Sequence, residues 1–111
     1  MSIVDITRKP WGQTFTFTNS DRFKGSIVSV LKGRRTSLHY HKQKDETIMV
    51  VKGKISITLD GEIRIGTVGC VVSIGHGCIH RIEALKYSEF IEVSSGEKGD
   101  KIRVEDDYKR V

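Results

Sequence analysis

The sequence has little proline, cysteine or aromatic content. Its 111 residues include one proline, Pro10, and two cysteines, and 7% of the residues are aromatic. A chain of this length without a proline-rich linker is expected to form one domain over residues 1–111. Because Cys70 and Cys78 are too few for a disulfide framework, we expect them to be reduced, part-buried thiols.

Targeting signals and membrane spans are also missing. The first residues, "MSIVDITRKPWG", lack the apolar core of a secretory signal, and no apolar run approaches the length of a membrane span. We therefore expect a cytoplasmic protein without a membrane partner.

The charge balance is basic. The formal net charge is +5 at pH 7, and charged residues make up 30% of the chain. A basic balance favours anionic partners, among them sugar phosphates. The basic residues do not alternate with aromatic residues as they do in RNA-binding proteins, so we expect no nucleic-acid partner. The expected partner is a small anionic molecule.

Short apolar runs alternate with turn residues every eight to twelve positions, which is typical of a sandwich or barrel. About nine short strands and little helix predict an all-β fold, an antiparallel barrel or double-sheet jelly roll. The run "TFTFT" places Phe15 and Phe17 on one face of a strand. The run "TIMVVKG" is apolar on both faces and predicts a strand that is buried on both sides.

One hairpin is signalled by "DG" at 60–61. We expect Ile63 and Ile65 to face the core with the apolar residues of the preceding "KISITL" run. A three-residue loop over 60–62 places Leu59 opposite Ile63 and meets that condition, whereas a two-residue loop does not. The sequence therefore predicts the three-residue loop.

Three single residues have structural predictions. Trp11, the only tryptophan, and Tyr108, in the C-terminal tail, are predicted to pack against the body of the domain. His76 lies between two glycines and is predicted to be a turn residue.

A group of potential metal ligands occurs in "HYHKQKDE". His39 and His41 are two residues apart, so their side chains share one face of a strand, and Tyr40 takes the other face. The polar residues 42–45 allow the chain to reverse. The next strand can then carry Glu46 back beside the two histidines.

His80 is the fourth candidate ligand. It alternates with Ile82 and Ala84, so it should face inward with these apolar residues. Imidazole and carboxylate together suit a first-row transition metal. Three histidines and one carboxylate leave room for water or substrate on the ion. We therefore predict a divalent metal at His39, His41, Glu46 and His80, with Zn, Mn, Ni and Fe all possible.

The spacing of glycines around these residues resembles the paired motifs of the cupin superfamily. The first motif matches from Gly33 through the ligands to Gly53, and the second matches at Gly69, Gly77 and His80. The resemblance implies a single-domain cupin, a double-stranded β-helix that forms a jelly-roll barrel. Small cupin domains commonly pair through their sheets and edge strands invite pairing, so a homodimer is expected.

A closer resemblance covers nearly the whole chain. The runs "KPWG", "GRRTSLHYHKQKDE", "HRIEA", "FIEVSSG" and "IRVEDDYKR" are similar to the isomerase domain of type II mannose-6-phosphate isomerases. The glycine-rich signature of the guanylyltransferase that is often fused to this domain is absent, so nucleotidyl transfer is not expected. Family members typically have glutamine at the position of His39, where this chain departs from the pattern.

The resemblance implies a sugar-phosphate isomerase. In such an enzyme Arg35 could hold the phosphate with two parallel hydrogen bonds, and Lys44 could add a positive charge. No general base is identifiable from the sequence. Two alternatives stay open: a cupin of another class, such as an iron-dependent dioxygenase, and a non-catalytic sugar-binding module.

Overall fold

The computed structural model describes residues 5–96 and 99–110, and this part of the chain forms β-strands, turns and loops without a helix. Eleven strands occur in it: β1 (Asp5–Lys9), β2 (Gly12–Asn19), β3 (Phe23–Val30), β4 (Leu38–His41), β5 (Glu46–Lys52), β6 (Lys54–Leu59), β7 (Glu62–Thr67), β8 (Val71–Ile74), β9 (His80–Ala84), β10 (Ser88–Ser95) and β11 (Lys101–Glu105).

The strands form two antiparallel sheets. The six-stranded sheet has the order β1-β2-β3-β10-β5-β8, and the five-stranded sheet has the order β11-β4-β9-β6-β7. Some neighbours, such as β2 and β3, are consecutive in the chain, but others are far apart in the sequence, since β10 lies between β3 and β5. Two facing sheets with crossed connections form a jelly roll, so the predicted all-β architecture is confirmed.

The core lies between the sheets and is built from the inward residues of both. It contains mainly β-branched residues, which suit a pleated surface that is buried on one side. The buried apolar residues are Trp11, Val28, Val30, Ile48, Val50, Ile55, Ile57, Ile74, Ile82, Ala84 and Phe90. Trp11 belongs to this core and Tyr108 packs against it, as predicted. Cys70 and Cys78 are free, part-buried thiols, also as predicted.

The predicted hairpin loop is wrong. Leu59 pairs with Glu62, so the loop has the two residues Asp60 and Gly61, both with positive φ. The prediction failed because it required Ile63 and Ile65 to face the core. These side chains are 66% and 55% exposed, because β7 is an edge strand whose apolar residues point outward.

The prediction that "TIMVVKG" is buried on both faces is also wrong. Ile48 and Val50 are buried, but Met49 and Val51 of the same strand are exposed. The strand β5 lies inside a sheet, between β10 and β8, but nothing in the described chain covers the outer face of that sheet. Residues 48–51 of β5 therefore alternate between buried and exposed, although all of them are apolar and the sequence shows no such alternation.

Two strands at the sheet edges escaped prediction. The strand β1 and the strand β11 are rich in charged residues, and each lies at an edge of its sheet.

Phe15 and Phe17 do share a face, but that face is the outer one, since Thr16 between them is buried. No helical segment among the described residues has the length and apolar character that crossing a lipid bilayer requires.

Candidate functional site

A cavity of about 190 Å³ lies between the two sheets, and the four predicted ligands line it. His39 and His41 come from β4 and His80 from β9, all in the five-stranded sheet. Glu46 begins β5 in the six-stranded sheet. The polar residues 42–45 carry the chain from one sheet to the other, and Glu46 lies beside the histidines as expected.

The four side chains form one compact cluster. Each offers a ligand atom, these atoms lie within 4.8 Å of one another, and all four residues are buried. His80 Nε2 is 2.9 Å from Glu46 Oε1, and His41 Nε2 is 3.8 Å from the same oxygen. The rings of His39 and His80 are 4.3 Å apart between centroids. Such a gathering of nitrogen and oxygen donors is what a divalent transition metal requires.

The other ring nitrogen of each histidine has its own partner. Nδ1 of His39 donates to the Ser37 carbonyl oxygen at 2.9 Å, and Nδ1 of His80 donates to the Cys78 carbonyl oxygen at 2.9 Å. A carbonyl can only accept, so both Nδ1 atoms carry a proton, and Nε2 is in each ring the nitrogen that remains to bind a metal. These contacts set the tautomer and the ring orientation that metal-binding histidines usually have.

His41 is held in the same way by Asp100, the residue that precedes β11. Its Nδ1 lies 3.1 Å from Asp100 Oδ1. The second oxygen, Oδ2, accepts hydrogen bonds from the backbone N–H groups of Gln43 and Lys44, at 2.6 and 3.0 Å. One carboxylate therefore holds both a histidine of the cluster and the turn that leads to Glu46.

The protonation states also suit a cation. Burial, with repulsion from His80, lowers the pKa of His39 to about 3, and burial lowers the pKa of His41 as well. Both imidazoles are then neutral near pH 7, as a metal ligand must be. Burial opposes ionisation of Glu46, but hydrogen bonds from His80 and Glu92 hold its pKa well below the usual range. The donor set fits a divalent metal.

A second carboxyl group, Glu92 on β10, lines the cavity beside the cluster. Burial and the charge of Glu46 raise the pKa of Glu92 to about 8. Protonated Glu92 can donate a hydrogen bond to ionised Glu46, which accounts for the opposite directions of the two shifts. Of the two carboxyl groups, Glu46 therefore favours the ionised form and Glu92 the protonated form.

The same cavity is lined by several cationic side chains, from both sheets and from the C-terminal tail. They are Lys9, Lys24, Lys44, Lys101 and Arg110. The pKa of Lys101 falls to about 8, first through burial and then through repulsion from neighbouring cations, including Lys9 and Arg103. Positive charge concentrated around a low-dielectric cavity attracts anions.

The two residues predicted to bind substrate lie in different environments. Lys44 is 5% exposed and lines the cavity. Arg35 is not among the residues that line the cavity. Its Nε and one terminal nitrogen donate to the two oxygens of Asp107, at 2.6 and 2.8 Å. Arg35 thus makes its two parallel hydrogen bonds, which were expected for a phosphate, to a carboxylate of the C-terminal tail.

His76 lies in the turn between β8 and β9, as predicted, and is exposed. Its Nδ1 and its backbone N–H both contact Asp45 Oδ1 at 2.8 Å. It is a histidine close to the cluster in sequence but outside the cavity lining.

Several residues of the site were missed in the sequence. Glu92 alternates with Phe90 and Ser88, and Lys24 alternates with Ser26, so strand parity would have turned both inward. Lys101 lies on an unpredicted edge strand. Asp100 carried no local signal, because it contacts His41 across a separation of 59 residues.

The jelly roll and the buried cluster of histidine and glutamate define this chain as a cupin with a site that fits a divalent metal ion. The chain belongs to the family described as "Mannose-6-phosphate isomerase C-terminal", whose model matches residues 3–111.

Known relatives carry this region as part of longer proteins. A mannose-1-phosphate guanylyltransferase of Sinorhizobium fredii is 32% identical over 104 residues, which are 89% of this chain and 20% of the relative. The Escherichia coli K12 protein of the same name is 31% identical over 108 residues, 93% of this chain and 23% of the relative. The chain therefore spans about a fifth of the length of these relatives.

Solved structures share the fold at lower identity. KdgF from a Halomonas species has a TM-score of 0.78 at 24% identity and covers 85% of this chain and 87% of its own. An RmlC-like cupin from Shewanella frigidimarina has a TM-score of 0.77 at 18% identity, with 86% of each chain covered. At these identities the likeness establishes the cupin fold.

Proposed function

We propose that this chain is a metal-dependent enzyme that interconverts the aldose and ketose forms of an anionic sugar, with mannose 6-phosphate and fructose 6-phosphate as the expected pair. The observation that supports this proposal is the content of one cavity. It holds a cluster that suits a metal, a second carboxyl group beside that cluster, and cations that suit a phosphate.

The metal would be held by His39, His41, Glu46 and His80, the only such cluster among the described residues. Zn, Mn, Ni and Fe(II) all accept this combination of nitrogen and oxygen donors. A divalent ion supplies Lewis-acid stabilisation for the negative charge that an aldose–ketose interconversion develops on the sugar oxygens. Apolar residues in the cavity lining, such as Ile82 and Phe90, would lower the local dielectric constant and strengthen that interaction.

The substrate anion would be held by the lysines that line the cavity. Lys101 and Lys24 approach from opposite sheets, and Lys44 extends from the turn before Glu46. A phosphate presents several acceptor oxygens, and ammonium groups can donate to them from different directions. We assign anion binding to these lysines, and Arg35 would support the site indirectly through its contact with Asp107 in the tail.

Proton transfer between the two sugar carbons needs a group that does not coordinate the metal. Glu92 is such a group, since it lines the cavity and contacts Glu46 without belonging to the four-residue cluster. The charge of Glu46 is one cause of the raised pKa of Glu92, so a cation bound to Glu46 would favour the ionised form of Glu92. That carboxylate can take a proton from one sugar carbon and return it to the next. We propose Glu92 as the proton-transfer residue that the sequence alone did not identify.

The proposal is tested by metal analysis and a direct assay. The purified chain is loaded separately with Zn, Mn, Ni and Fe(II), and mannose 6-phosphate is followed by NMR for conversion to fructose 6-phosphate. We expect conversion that stops on chelation and returns with one of the metals. His80→Ala should lose both bound metal and activity, because it removes one of four ligands.

His76→Ala is the matched control, since this histidine is exposed and lies outside the cavity lining. It should retain metal and activity. Oxygen uptake by the Fe(II) form with no sugar isomerisation would favour a dioxygenase. Saturable binding of sugar phosphate with no product would favour a binding module. Either result would overturn the isomerase proposal.

A further inference from the structure

The C-terminal tail, residues 106–110, forms a tight turn around one buried carboxylate. The side chain of Asp106 has no exposed surface, and both of its oxygens accept hydrogen bonds from Arg110. Nε of Arg110 donates to Oδ2 at 2.7 Å, and one terminal nitrogen donates to Oδ1 at 2.8 Å. The backbone N–H of Arg110 also donates to Oδ2, at 2.8 Å. Charge-assisted hydrogen bonds to one buried carboxylate therefore hold the guanidinium in place.

The tail is also attached to the body of the domain. The two oxygens of Asp107 accept hydrogen bonds from Arg35. Oδ1 of Asp107 is also 3.9 Å from a terminal nitrogen of Arg81, a buried residue whose Nε donates to the Thr36 carbonyl oxygen. Tyr108 packs against the hydrophobic core. Contacts of successive tail residues therefore fix this short segment, and with it the residue at its end.

The tail brings Arg110 to the cavity that contains the metal cluster. Arg110 is one of the residues that line this cavity, and its side chain is 24% exposed. A guanidinium carries five N–H donors, and the side-chain contacts to Asp106 use two of them. Three donors therefore remain for a ligand in the cavity, and their planar arrangement suits an oxyanion such as a phosphate group.

Arg110 differs in its surroundings from the lysines beside the metal cluster. Burial raises the pKa of Glu92, and the charges of Lys44 and Lys101 oppose that rise, so these two lysines lie close to the cluster. The pKa of Arg110 is also raised, first by its hydrogen bonds to Asp106 within the tail. A substitution of Arg110 should therefore change the ligand-binding surface of the cavity and leave the metal ligands in place.

We propose that Arg110 donates hydrogen bonds to the anionic group of the ligand, and that Asp106 is the residue that positions Arg110 for this contact. The inference rests on the anion-binding part of the proposed function and does not depend on the isomerisation step. The lysines of the cavity supply positive charge, whereas Arg110 supplies donors whose directions are set before the ligand arrives. Because Asp106 balances the charge of Arg110, the direction of these hydrogen bonds matters more than the added charge.

The test is calorimetric titration of the full chain, as purified, with inorganic phosphate and with mannose 6-phosphate. Inorganic phosphate measures the anion site whether or not a sugar is converted. Arg110→Gln should weaken the binding of both probes by about 10- to 100-fold, because hydrogen bonds to a charged group are lost. Arg110→Lys keeps the charge without the planar donors, so its affinity should lie between those of the wild type and Arg110→Gln.

Lys109→Gln is the matched control, since it removes one positive charge from an exposed side chain of the same tail. It should bind both probes as the wild type does. Asp106→Asn should weaken phosphate binding and keep the metal content, because it releases the guanidinium and removes no metal ligand. If Arg110→Gln does not fold, the double variant with Asp106→Asn provides the test, because it leaves no unpaired buried carboxylate.

A wild-type chain that binds neither probe at about 10 mM would overturn the proposal. So would equal affinity in the wild type and Arg110→Gln, or equal weakening in Lys109→Gln, since the loss would then reflect charge alone. Loss of metal in a folded Arg110 variant would also contradict it. If Arg110→Gln weakens binding as expected but no sugar is converted, the isomerase proposal fails and the role of Arg110 stands.

Discussion

Asp100 illustrates how one residue outside the metal cluster can determine its geometry. Its two oxygens contact His41 Nδ1 and two backbone N–H groups of the turn before Glu46. Replacing it by alanine removes both acceptor oxygens and therefore all three contacts at once. The cluster would keep its four ligands, but one imidazole and one carboxylate would lose the contact that orients them.

We expect Asp100→Ala to weaken metal binding by about 10- to 100-fold, the usual effect of losing a partner of a metal ligand. Competition with a coloured chelator measures the change. Asp100→Asn keeps an acceptor oxygen for His41 Nδ1 and should fall between the wild type and the alanine variant. Equal affinity in all three proteins would contradict the positioning role.

Glu92 has the second residue-scale prediction. If it transfers the proton, Glu92→Gln should lower kcat by about 10²- to 10⁴-fold while KM and metal content change little. Steady-state kinetics and metal analysis on the same sample measure both. Glu89→Gln on the same strand is the control, because Glu89 points away from the cavity. If the Glu92 variant lost its metal, Glu92 would instead be a residue that holds the metal ligand Glu46 in position.

At the level of elements, two glycines with positive φ differ in why they are needed. At one position only the backbone conformation favours glycine, and at the other a side chain would also overlap neighbouring atoms. Gly53, between β5 and β6, has φ 85°, and Gly69, before β8, has φ 92°. A Cβ on Gly53 would overlap the Tyr87 carbonyl oxygen and the Ser88 side chain, whereas a Cβ on Gly69 would meet nothing within 4 Å.

We therefore expect Gly69→Ala to lower the free energy of unfolding by about 1–2 kcal/mol, because a residue with a Cβ is strained in the left-handed conformation. Gly53→Ala should cost more than about 3 kcal/mol, because steric overlap adds to the same backbone strain. Urea unfolding of the metal-free proteins compares them. Similar values for the two variants would mean that the backbone around Gly53 relaxes easily.

Most of the strands that the sequence predicted correctly have apolar inward residues, with β2 and β4, which turn threonine and histidine inward, as exceptions. Alternation located the strand of His80, and the DG pair located the hairpin. The register of that hairpin was wrong because exposed Ile63 was taken for a core residue. The edge strands β1 and β11 were missed because their inward residues include Thr7, Lys9 and Lys101, which face a polar cavity rather than the core.

The metal cluster was predictable because its ligands lie on strands with clear parity and in a motif with regular glycines. The remainder of the cavity depends on contacts that no local pattern specifies. Asp100 reaches His41 from the far end of the chain, and Asp107 takes up the Arg35 guanidinium. Such pairs follow from the order of strands in the sheets, which periodicity does not determine.

At the scale of the whole molecule, metal binding should contribute to stability. An ion at 100 times its dissociation constant stabilises the folded state by about 2.7 kcal/mol. For a domain of about 100 residues, each kcal/mol raises the melting temperature by about 4–8 °C. We expect a rise of about 10 °C or more in differential scanning calorimetry when the preferred metal is added.

That rise should disappear in His80→Ala and persist in His76→Ala, since only the first belongs to the cluster. An equal rise in both variants would place the stabilising ion elsewhere. Whether residues 1–111 form one independent domain stays a prediction, because the relatives carry this region within proteins about five times as long.

The cluster draws its ligands unequally from the two layers of the barrel, three from one and one from the other. An ion held there would link the two sheets at the cavity, next to the expected position of the sugar. Removal of the ion would let the sheets separate more often at that end. Hydrogen exchange in β4 and β9 should then quicken, while the central pair of β3 and β10 stays protected.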